Sequence, residues 1–495
     1  MKSLAQLGLT ARGGREAQIT GLAVDSRDVK PGFLFAALPG ARVHGGEFIQ
    51  YALRMQAGAI LTDAKGAEIA AAELAASDAA VIVAQDPRQA LAQTASLWFG
   101  AHPQTVVAVT GTNGKTSVST FCRQIWEELD LPGVNLGTTG VEGAWNHPLK
   151  HTTPEPITLH RVLAEAAQNG ITHVAMEASS HGLDQRRLDG VLLTAAGFSN
   201  FSQDHLDYHE TFAAYFDAKM GLFRRVLSED GVAVINLDDP KGEDVAAICA
   251  ERGQEIIGVG RHPDARLRLT GQRFDATGQD LLFEWQGRAR QARLELIGGF
   301  QAENVLLAAG LVIAAGAEPD DVFDTLPYLT TVRGRMELAA TRDSGAAVFV
   351  DYAHTPDAVE TALQAMRPHV MGRIVVIVGA GGDRDAGKRP LMGAAAAQNA
   401  DIVIVTDDNP RSEDPAAIRA ALMAGAVDAG GSDSITEVGD RAEAILRGID
   451  MLGAGDALLI AGKGHETGQV VGDTVLPFDD VEQASVAVAA LEGWI

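Results

Sequence analysis

Between residues 106 and 129 the chain reads VVAVTGTNGKTSVSTFCRQIWEEL, an apolar strand that breaks into a glycine-flanked loop and restarts as a helix at Lys115. This is the anatomy of a phosphate cradle for a nucleoside triphosphate. Gly111 and Gly114 can take backbone angles closed to other residues, so the N–H groups of the loop, Thr112 and Asn113 among them, converge on a phosphate at the positive end of the helix. Lys115 brings a point charge to the outer phosphates, and Thr116 can set its hydroxyl on Mg²⁺. The spacing is not that of the standard G-x-x-x-x-G-K-[ST] loop, because Val109 stands where its first glycine would be. The shorter form is either a distinct nucleotide-loop family or a turn before a helix; strand, loop and helix in this order favour the nucleotide loop.

A length of 495 residues predicts about three domains, at roughly 150 residues each. With 46% hydrophobic and 21% charged residues the composition is that of a soluble enzyme. No apolar run approaches the ~20 residues needed to span a bilayer, and the first residues lack the apolar core of a signal peptide, so a cytoplasmic protein without membrane insertion is expected. Cys122 and Cys249 are too few for a disulfide framework or a cysteine metal site and read as buried thiols. A formal charge of −25 opposes nucleic-acid binding, so any anionic substrate must be held by local Arg, Lys and backbone N–H groups.

Residues 1–102 read as a small α/β unit closed by a helix at RQALAQTASLWFG, with a linker at His102-Pro103. Residues 103–332 alternate apolar strands (VVAVTG, HVAMEAS, LTAAGFSNF, VAVINLDD) with helices, then turn hairpin-like before ENVLLAAGLVIAAG. Residues 333–495 form a third set: AAVFVDYAHTP, RIVVIVGAGGDRD, DIVIVTDDNPR and ALLIAGKGHE. The fold class is α/β, and because each strand runs straight into a polar signature, the strand ends should gather at ligand clefts.

Among those endings, Glu177 and His205 each follow a central strand, and hard Mg²⁺ accepts carboxylate and, less often, imidazole beside phosphate oxygens. Lys219 lies in the helical pattern TFAAYFDAKMGLF, where periodicity alone favours a snorkelling lysine.

GTNGKT (111–116), TTPE (152–155), MEASSHGLDQRR (176–187), SNFSQDHLDYH (199–209), AKMGLF (218–223), RGRME (333–337), DYAHTPDA (351–358), GGDRDAGKRPLM (381–392), DNPR (408–411) and GKGHE (462–466) occur in the order found in the Mur ligases, which the chain resembles over nearly its whole length. The resemblance is to the branch that adds the third peptide residue. It implies a three-domain architecture: a UDP-sugar-binding N-terminal domain, a central P-loop ATPase and a C-terminal Rossmann-like domain that brings the amino acid. It implies ATP-dependent addition of meso-2,6-diaminopimelate to UDP-N-acetylmuramoyl-L-alanyl-D-glutamate through an acyl phosphate, in the peptidoglycan precursor synthesis that underlies cell-wall growth, shape and division. A monomer is the expected assembly.

The resemblance also distributes roles. Lys115, Glu177, His205 and Lys219 are the implied catalytic set, with Thr116 and Glu177 on one Mg²⁺ and His205 and a carbamylated Lys219 on a second. Asn304 and Asp351 resemble the adenine and ribose contacts, and Arg335 an arginine near the terminal phosphate. His354 either touches the nucleotide or caps the loop after its strand. Ser26 and backbone groups from Ala41 to Val43 resemble UDP contacts, although VHGGEF replaces the commoner D-G-H or D-G-R. Thr152, Thr153, Ser179, Gln185 and Arg187 resemble contacts to the muramoyl dipeptide. QAEN replaces the common N-V-x-N but keeps Asn304.

Amino-acid choice rests on Asp408, Asn409, Pro410 and Arg411. Diaminopimelate has one carboxylate more than lysine, and Arg411 offers it a planar, bidentate partner. Arg384, Gly462 or Gly464, and Glu466 could hold the distal amino-acid group. The same DDNPRSEDP segment also reads as a turn into a helix with Asp414 as N-cap and Pro415 at its first position. The rivals are a lysine-adding sibling, which generally lacks this arginine, a folylpolyglutamate-synthetase-like enzyme, which lacks the N-terminal domain, and a nucleotide-gated switch, whose guanine-selecting N-K-x-D is absent from the sequence.

Overall fold

The structure is a computed structural model and describes residues 1–40, 43–202, 208–431 and 434–494. It divides into two compact units, Met1–Ala265 with Leu307–Val322, and Arg266–Leu306 with Phe323–Ile495.

In the first unit, the strands Gly21–Ala23, Phe33–Ala36, Ala59–Thr62 and Ala80–Val83 pair in parallel in that order. The helix Pro87–Phe99 follows, started by Asp86, whose carboxylate accepts from Gln89 N, with proline in the first turn. A larger sheet orders Glu255–Gly260, Val232–Asn236, Ala195–Phe198, Thr105–Thr110, His173–Glu177 and Gly133–Gly137 in parallel, with Gly140–Gly143 antiparallel at the edge. Thr105–Thr110 lies in the middle and is buried throughout. Its unbroken apolar run, without alternation, is what a strand covered on both faces requires. Placing it centrally sets its carboxyl end, and so the phosphate loop, between the ends of Ala195–Phe198 and His173–Glu177. Within TTPE, Glu155 caps the helix Pro156–Gln168 by accepting from Ile157 N and Thr158 N at 2.8 and 2.7 Å.

In the second unit, Leu267–Asp275, Gly278–Trp285 and Arg288–Leu294 form two successive antiparallel hairpins. A six-stranded sheet orders Glu337–Thr341, Ala347–Asp351, Ala457–Ala461, Ile374–Val378, Ile402–Val405 and Ser434–Glu437, parallel except for the first. Ala457–Ala461 comes last among these in sequence yet inserts between Ala347–Asp351 and Ile374–Val378. The chain therefore reverses its winding there, the topology that opens a crevice beyond the carboxyl ends of an α/β sheet. His369 ties the hairpins to this sheet: its Nε2 accepts from Gly298 N at 3.1 Å while Nδ1 donates to Asp275 O at 2.7 Å. Asp414 caps Pro415–Ala429 as the sequence indicates. Both cysteines are buried, and burial pushes the Cys249 thiol up to about 12 and that of Cys122 up as well. No helix among the described residues is long and apolar enough to cross a membrane.

Candidate active site

The loop after Thr105–Thr110 is built by close approach. Gly111 has φ +153°, and a Cβ there would lie 2.0 Å from Ser199 Oγ. Ser199 and Asn200, at the end of the neighbouring strand, hold the loop from outside: Ser199 Oγ donates to Asn113 O at 2.6 Å, Asn113 N donates to Asn200 Oδ1 at 2.8 Å, and Thr112 N to Asn200 O at 2.9 Å. Gly114, at φ +83°, turns the chain into the helix Lys115–Glu128. Lys115 Nζ folds over the loop and donates to Gly111 O and Thr112 O at 2.9 and 2.8 Å. The Thr112 and Asn113 N–H groups, expected from the sequence to face a phosphate, are instead taken up by Asn200, so what the loop offers an anion is the positive end of the helix and the Lys115 ammonium.

Thr116 joins this loop to a second cluster. Its buried hydroxyl donates to Glu177 Oε1 at 3.1 Å. Glu177 also accepts from Thr138 N at 2.8 Å and, on Oε2, from the Thr138 hydroxyl at 3.2 Å, which in turn meets Thr152 Oγ1 at 3.1 Å. Thr153 Oγ1 donates to Glu177 O at 2.9 Å and accepts from Ser179 N and Oγ. Arg187 Nη1 donates to Thr153 O at 2.6 Å and Nη2 to Gln185 Oε1 at 2.8 Å, and Gln185 Nε2 reaches Tyr208 OH at 3.0 Å. Burial, with the nearby Arg88 charge, holds the Arg187 guanidinium below its ordinary range. Thr152, Thr153, Ser179, Gln185 and Arg187 are therefore one continuous polar wall leading away from the phosphate loop.

Lys219 completes the cluster. The helix Phe212–Gly221, capped by Thr211, brings its Nζ to 2.6 Å from Gly111 O and 4.5 Å from the centre of the Tyr215 ring, with only 1% of the residue exposed. The lysine is buried against the loop and does not snorkel. His205 lies outside the described residues, as do Ala41 and Arg42. No hydrogen bond among the described residues links Ser26 to this network; it stands half-buried between Asp25 and Arg27, whose guanidinium draws the Asp25 carboxyl down to about 2. Among the described residues no group of three or more His, Cys, Asp or Glu gathers as a metal site.

The second unit assembles its own cluster at the sheet crevice. Asp351 ends its strand and accepts from Met336 N at 2.7 Å; enclosure pushes its carboxyl up, and the Arg335 guanidinium opposes that rise. Arg335 stacks over the Tyr352 ring at 4.7 Å. Burial raises the Tyr352 phenol, with Glu466 and Asp408 adding to the rise and Arg335 and Arg384 opposing it. His354 Nδ1 meets Tyr352 O at 2.8 Å, and Lys388 donates to His354 O. Asn304 Nδ2 donates to Gln301 Oε1. Around DNPR, Arg411 takes φ +52°, donates from Nη1 to Gly382 O at 2.7 Å, and pairs its backbone with Val470 and Gly472. Asn409 donates to Glu466 Oε2 at 2.8 Å, and Gln469 to Asp408 O at 2.7 Å. Gly462 and Gly464 follow the end of Ala457–Ala461.

Several of these residues carry no signal that sequence reasoning used. Thr138 follows the glycine-rich strand Gly133–Gly137 in a plain T-T-G turn. Tyr208 in SNFSQDHLDYH and Tyr352 in DYAHTPDA have no spacing that separates them from ordinary loop aromatics. The hairpin of Gly468–Val471 and Thr474–Pro477, which backs DNPR, has only short strands, the first mostly half-buried and the second exposed.

Comparison with known proteins agrees with this geometry. Three family models match consecutive stretches: the Mur ligase family, catalytic domain over residues 18–98, the Mur ligase middle domain over 109–312, and the Mur ligase, glutamate ligase domain over 334–464. The chain is 48% identical over 479 residues to the UDP-N-acetylmuramoyl-L-alanyl-D-glutamate–2,6-diaminopimelate ligase of Bradyrhizobium diazoefficiens, covering 96% of this chain and 95% of that one. It is 46% identical over 482 residues to the ligase of the same name from Caulobacter vibrioides, covering 96% of each. A solved structure of a UDP-N-acetylmuramoyl-L-alanyl-D-glutamate–2,6-diaminopimelate ligase matches at TM-score 0.70 and 34% identity over 95% of each chain. At the level of fold alone, so does a MurF ligase from Thermotoga maritima in complex with ADP, at TM-score 0.61 and 19% identity over 100% of each chain. Matched by these models in one order and by such relatives over nearly its full length, the chain belongs to the Mur ligase family and has its three-domain α/β architecture.

Proposed function

We propose that the protein is an ATP-dependent amide ligase that joins meso-2,6-diaminopimelate to the γ-carboxylate of UDP-N-acetylmuramoyl-L-alanyl-D-glutamate, in cytoplasmic peptidoglycan precursor synthesis. The observation that carries the reading is the unbroken hydrogen-bonded path from Thr116 on the phosphate-loop helix through Glu177 to Thr153, Ser179 and Arg187. It sets a phosphate-binding loop beside a polar wall suited to a carboxylate-bearing peptide. Residues 1–102, 103–332 and 333–495 are assigned to UDP-sugar, ATP and amino acid respectively.

A carboxylate is a poor electrophile at neutral pH. In the proposed sequence the glutamyl γ-carboxylate oxygen attacks the γ-phosphorus of ATP and ADP leaves; the diaminopimelate amine then attacks the acyl carbon, and phosphate departs carrying the carboxylate oxygen. Phosphoryl transfer of this kind is mainly positioning and charge neutralisation. The phosphate loop Gly111 to Thr116 is assigned to the triphosphate, whose charge the Lys115 ammonium and the positive end of the helix it opens neutralise, and Arg187 and Ser179 are assigned to the dipeptide. Asn304, Asp351 and His354 are assigned to adenosine and Arg335 to the terminal phosphate. Thr116 and Glu177 fit Mg²⁺, being buried hard oxygen donors 3.1 Å apart beside the phosphate loop, and would hold it. Mg²⁺ would neutralise developing charge on the phosphates. A second ion is assigned to His205 and Lys219, the latter as a carbamate, since an ammonium offers no lone pair. Arg411 is assigned to the distal carboxylate of diaminopimelate, with Arg384, Asp408, Asn409, Glu466 and the backbone at Gly462 and Gly464 around the amino acid.

The test is to incubate purified protein with ATP, Mg²⁺, the UDP-muramoyl dipeptide and either diaminopimelate or lysine, and to measure ADP and the product mass. The reading expects ADP and a tripeptide product only with diaminopimelate. Efficient lysine incorporation, or ADP release that ignores the UDP-dipeptide, would overturn it.

A further inference from the structure

Beneath the amino-acid cluster lies a charged side chain to which no role has been given. Lys463, directly after Gly462, is wholly buried. A buried ammonium needs an acceptor for each of its three N–H bonds. Lys463 finds three: Gly468 O at 2.5 Å, Glu466 Oε2 at 3.0 Å and Asn409 Oδ1 at 3.3 Å.

Those contacts fix more than the lysine. Asn409 Oδ1 also accepts from Val470 N at 2.8 Å, so both donors fall on the amide oxygen. The amide nitrogen must then point the other way, and it donates to Glu466 Oε2 at 2.8 Å. Glu466 Oε2 receives both Lys463 and Asn409, while Oε1 accepts no hydrogen bond among the described residues, on a side chain one-third exposed. The Gly468 contact anchors the first strand of the hairpin whose next residues pair with Arg411.

We infer that Lys463 is the positioning residue of the amino-acid site: it orients Glu466 with Oε1 presented to an ammonium group of the incoming amino acid, fixes the orientation of the Asn409 amide, and pins the hairpin against Arg411. The inference rests on the proposed assignment of Asn409, Arg411 and Glu466 to the amino acid. It gives the zwitterionic end of a diamino dicarboxylic acid both its partners, Arg411 for carboxylate and Glu466 for ammonium, from one buried charge.

Steady-state kinetics on full-length Lys463→Met, Glu466→Gln and the double variant test it. Removing a hydrogen bond to a charged group costs about 1.5–3 kcal/mol, so Lys463→Met should raise the apparent KM for diaminopimelate about 10- to 100-fold. KM for ATP and for the UDP-dipeptide should stay within about threefold, and the double variant should be no worse than the more damaged single one, because the two residues act as a unit. A KM for diaminopimelate that stays at the wild-type value, an equal loss for all three substrates, or additive single effects would overturn the inference. If Lys463→Met yields no folded protein, Lys463→Gln, which keeps an amide donor, is read by the same criteria; failure of both to fold would also overturn it, leaving Lys463 a folding residue. A wild-type enzyme that does not use diaminopimelate would instead remove the assignment on which the inference stands.

Discussion

Lys219 Nζ donates to the carbonyl oxygen of Gly111 at 2.6 Å, across 108 residues of sequence. Lys115 donates to the same oxygen. Two lysines from two helices thus converge on the residue that opens the phosphate loop, and Lys219 does so with almost no solvent exposure. Burying an amine is costly unless it is hydrogen-bonded, and the Gly111 carbonyl and the Tyr215 ring offset that cost here. Under the proposed function its use is as a carbamate. Lys219→Ala should therefore abolish ligation while leaving UDP-dipeptide affinity within a few-fold, and a small added carboxylate should restore part of the activity. An intact-mass or electron-density result showing an unmodified amine in an active, metal-loaded enzyme would contradict this.

Glu177 depends on a glycine across the sheet. A Cβ on Gly137 would lie 2.1 Å from Glu177 Oε1 and 2.6 Å from its Cδ. Neither oxygen can retreat without breaking the bonds from Thr116 and Thr138. A displacement of about 1 Å at a reacting centre costs about 100-fold in rate, so Gly137→Ala should lower ADP release by about that factor. The melting temperature should shift little, since the clash is confined to one side chain. Wild-type turnover in a folded Gly137→Ala protein would contradict the placement of Glu177.

Arg411 is expected to set amino-acid choice. Lysine would leave its guanidinium unpaired, and an unpaired charge is an effective means of rejection. Arg411→Ala should raise the apparent KM for diaminopimelate by roughly 30- to several-thousand-fold, corresponding to about 2–5 kcal/mol. The values for ATP and the UDP-dipeptide should change little. Lysine use need not appear, because removing a repulsion does not build a site for an ammonium tail. Initial rates with each substrate varied in turn decide it: a KM for diaminopimelate that does not move rejects the role.

Stability should fall on mild acidification. Burial lowers His160 to about 4, while a bond to the Asp189 backbone works weakly the other way. In the unfolded chain a histidine titrates near 6.5. Between about pH 6.5 and pH 4 the unfolded state therefore binds more protons, so the stability contributed by neutral His160 is complete above this window and is lost as the pH falls through it. The loss is on the order of 3 kcal/mol. Burial lowers His102 and His369 too, and their terms have the same sign. Denaturant unfolding at pH 7.5 and pH 5 should show the drop, and His160→Gln should reduce it; an unchanged pH dependence in that variant would contradict the assignment.

Four strands of each large sheet were legible because their apolar runs are continuous and end in polar signatures, and the phosphate loop because glycine and lysine spacing carries its own mechanism; Gly133–Gly137 and Glu255–Gly260, bounded or interrupted by glycine, and the largely exposed Ser434–Glu437 were not. Lys219 was not legible from periodicity, since an amphipathic helix and a lysine aimed into a site share one pattern; only the motif order pointed to it. Thr138 and Gly137 were hidden for a different reason. Their importance comes from facing Glu177 from the neighbouring parallel strand, a relation that for Thr138 spans 39 residues and that no local pattern encodes. The hairpin behind DNPR is short and its strands show no buried–exposed alternation, so neither its composition nor its pattern separates it from a loop. Lys463 was read as part of GKGHE without a role, because burial of a lysine is visible only once its three acceptors are in place.

Under the proposed function, ATP activates the glutamyl γ-carboxylate as an acyl phosphate. The measurement that tests it most directly uses UDP-muramoyl dipeptide carrying ¹⁸O in that carboxylate, with diaminopimelate, ATP and Mg²⁺, and reads the mass of the phosphate released. The account predicts that each turnover places one carboxylate ¹⁸O in inorganic phosphate. Phosphate free of label, alongside amide product, would contradict it.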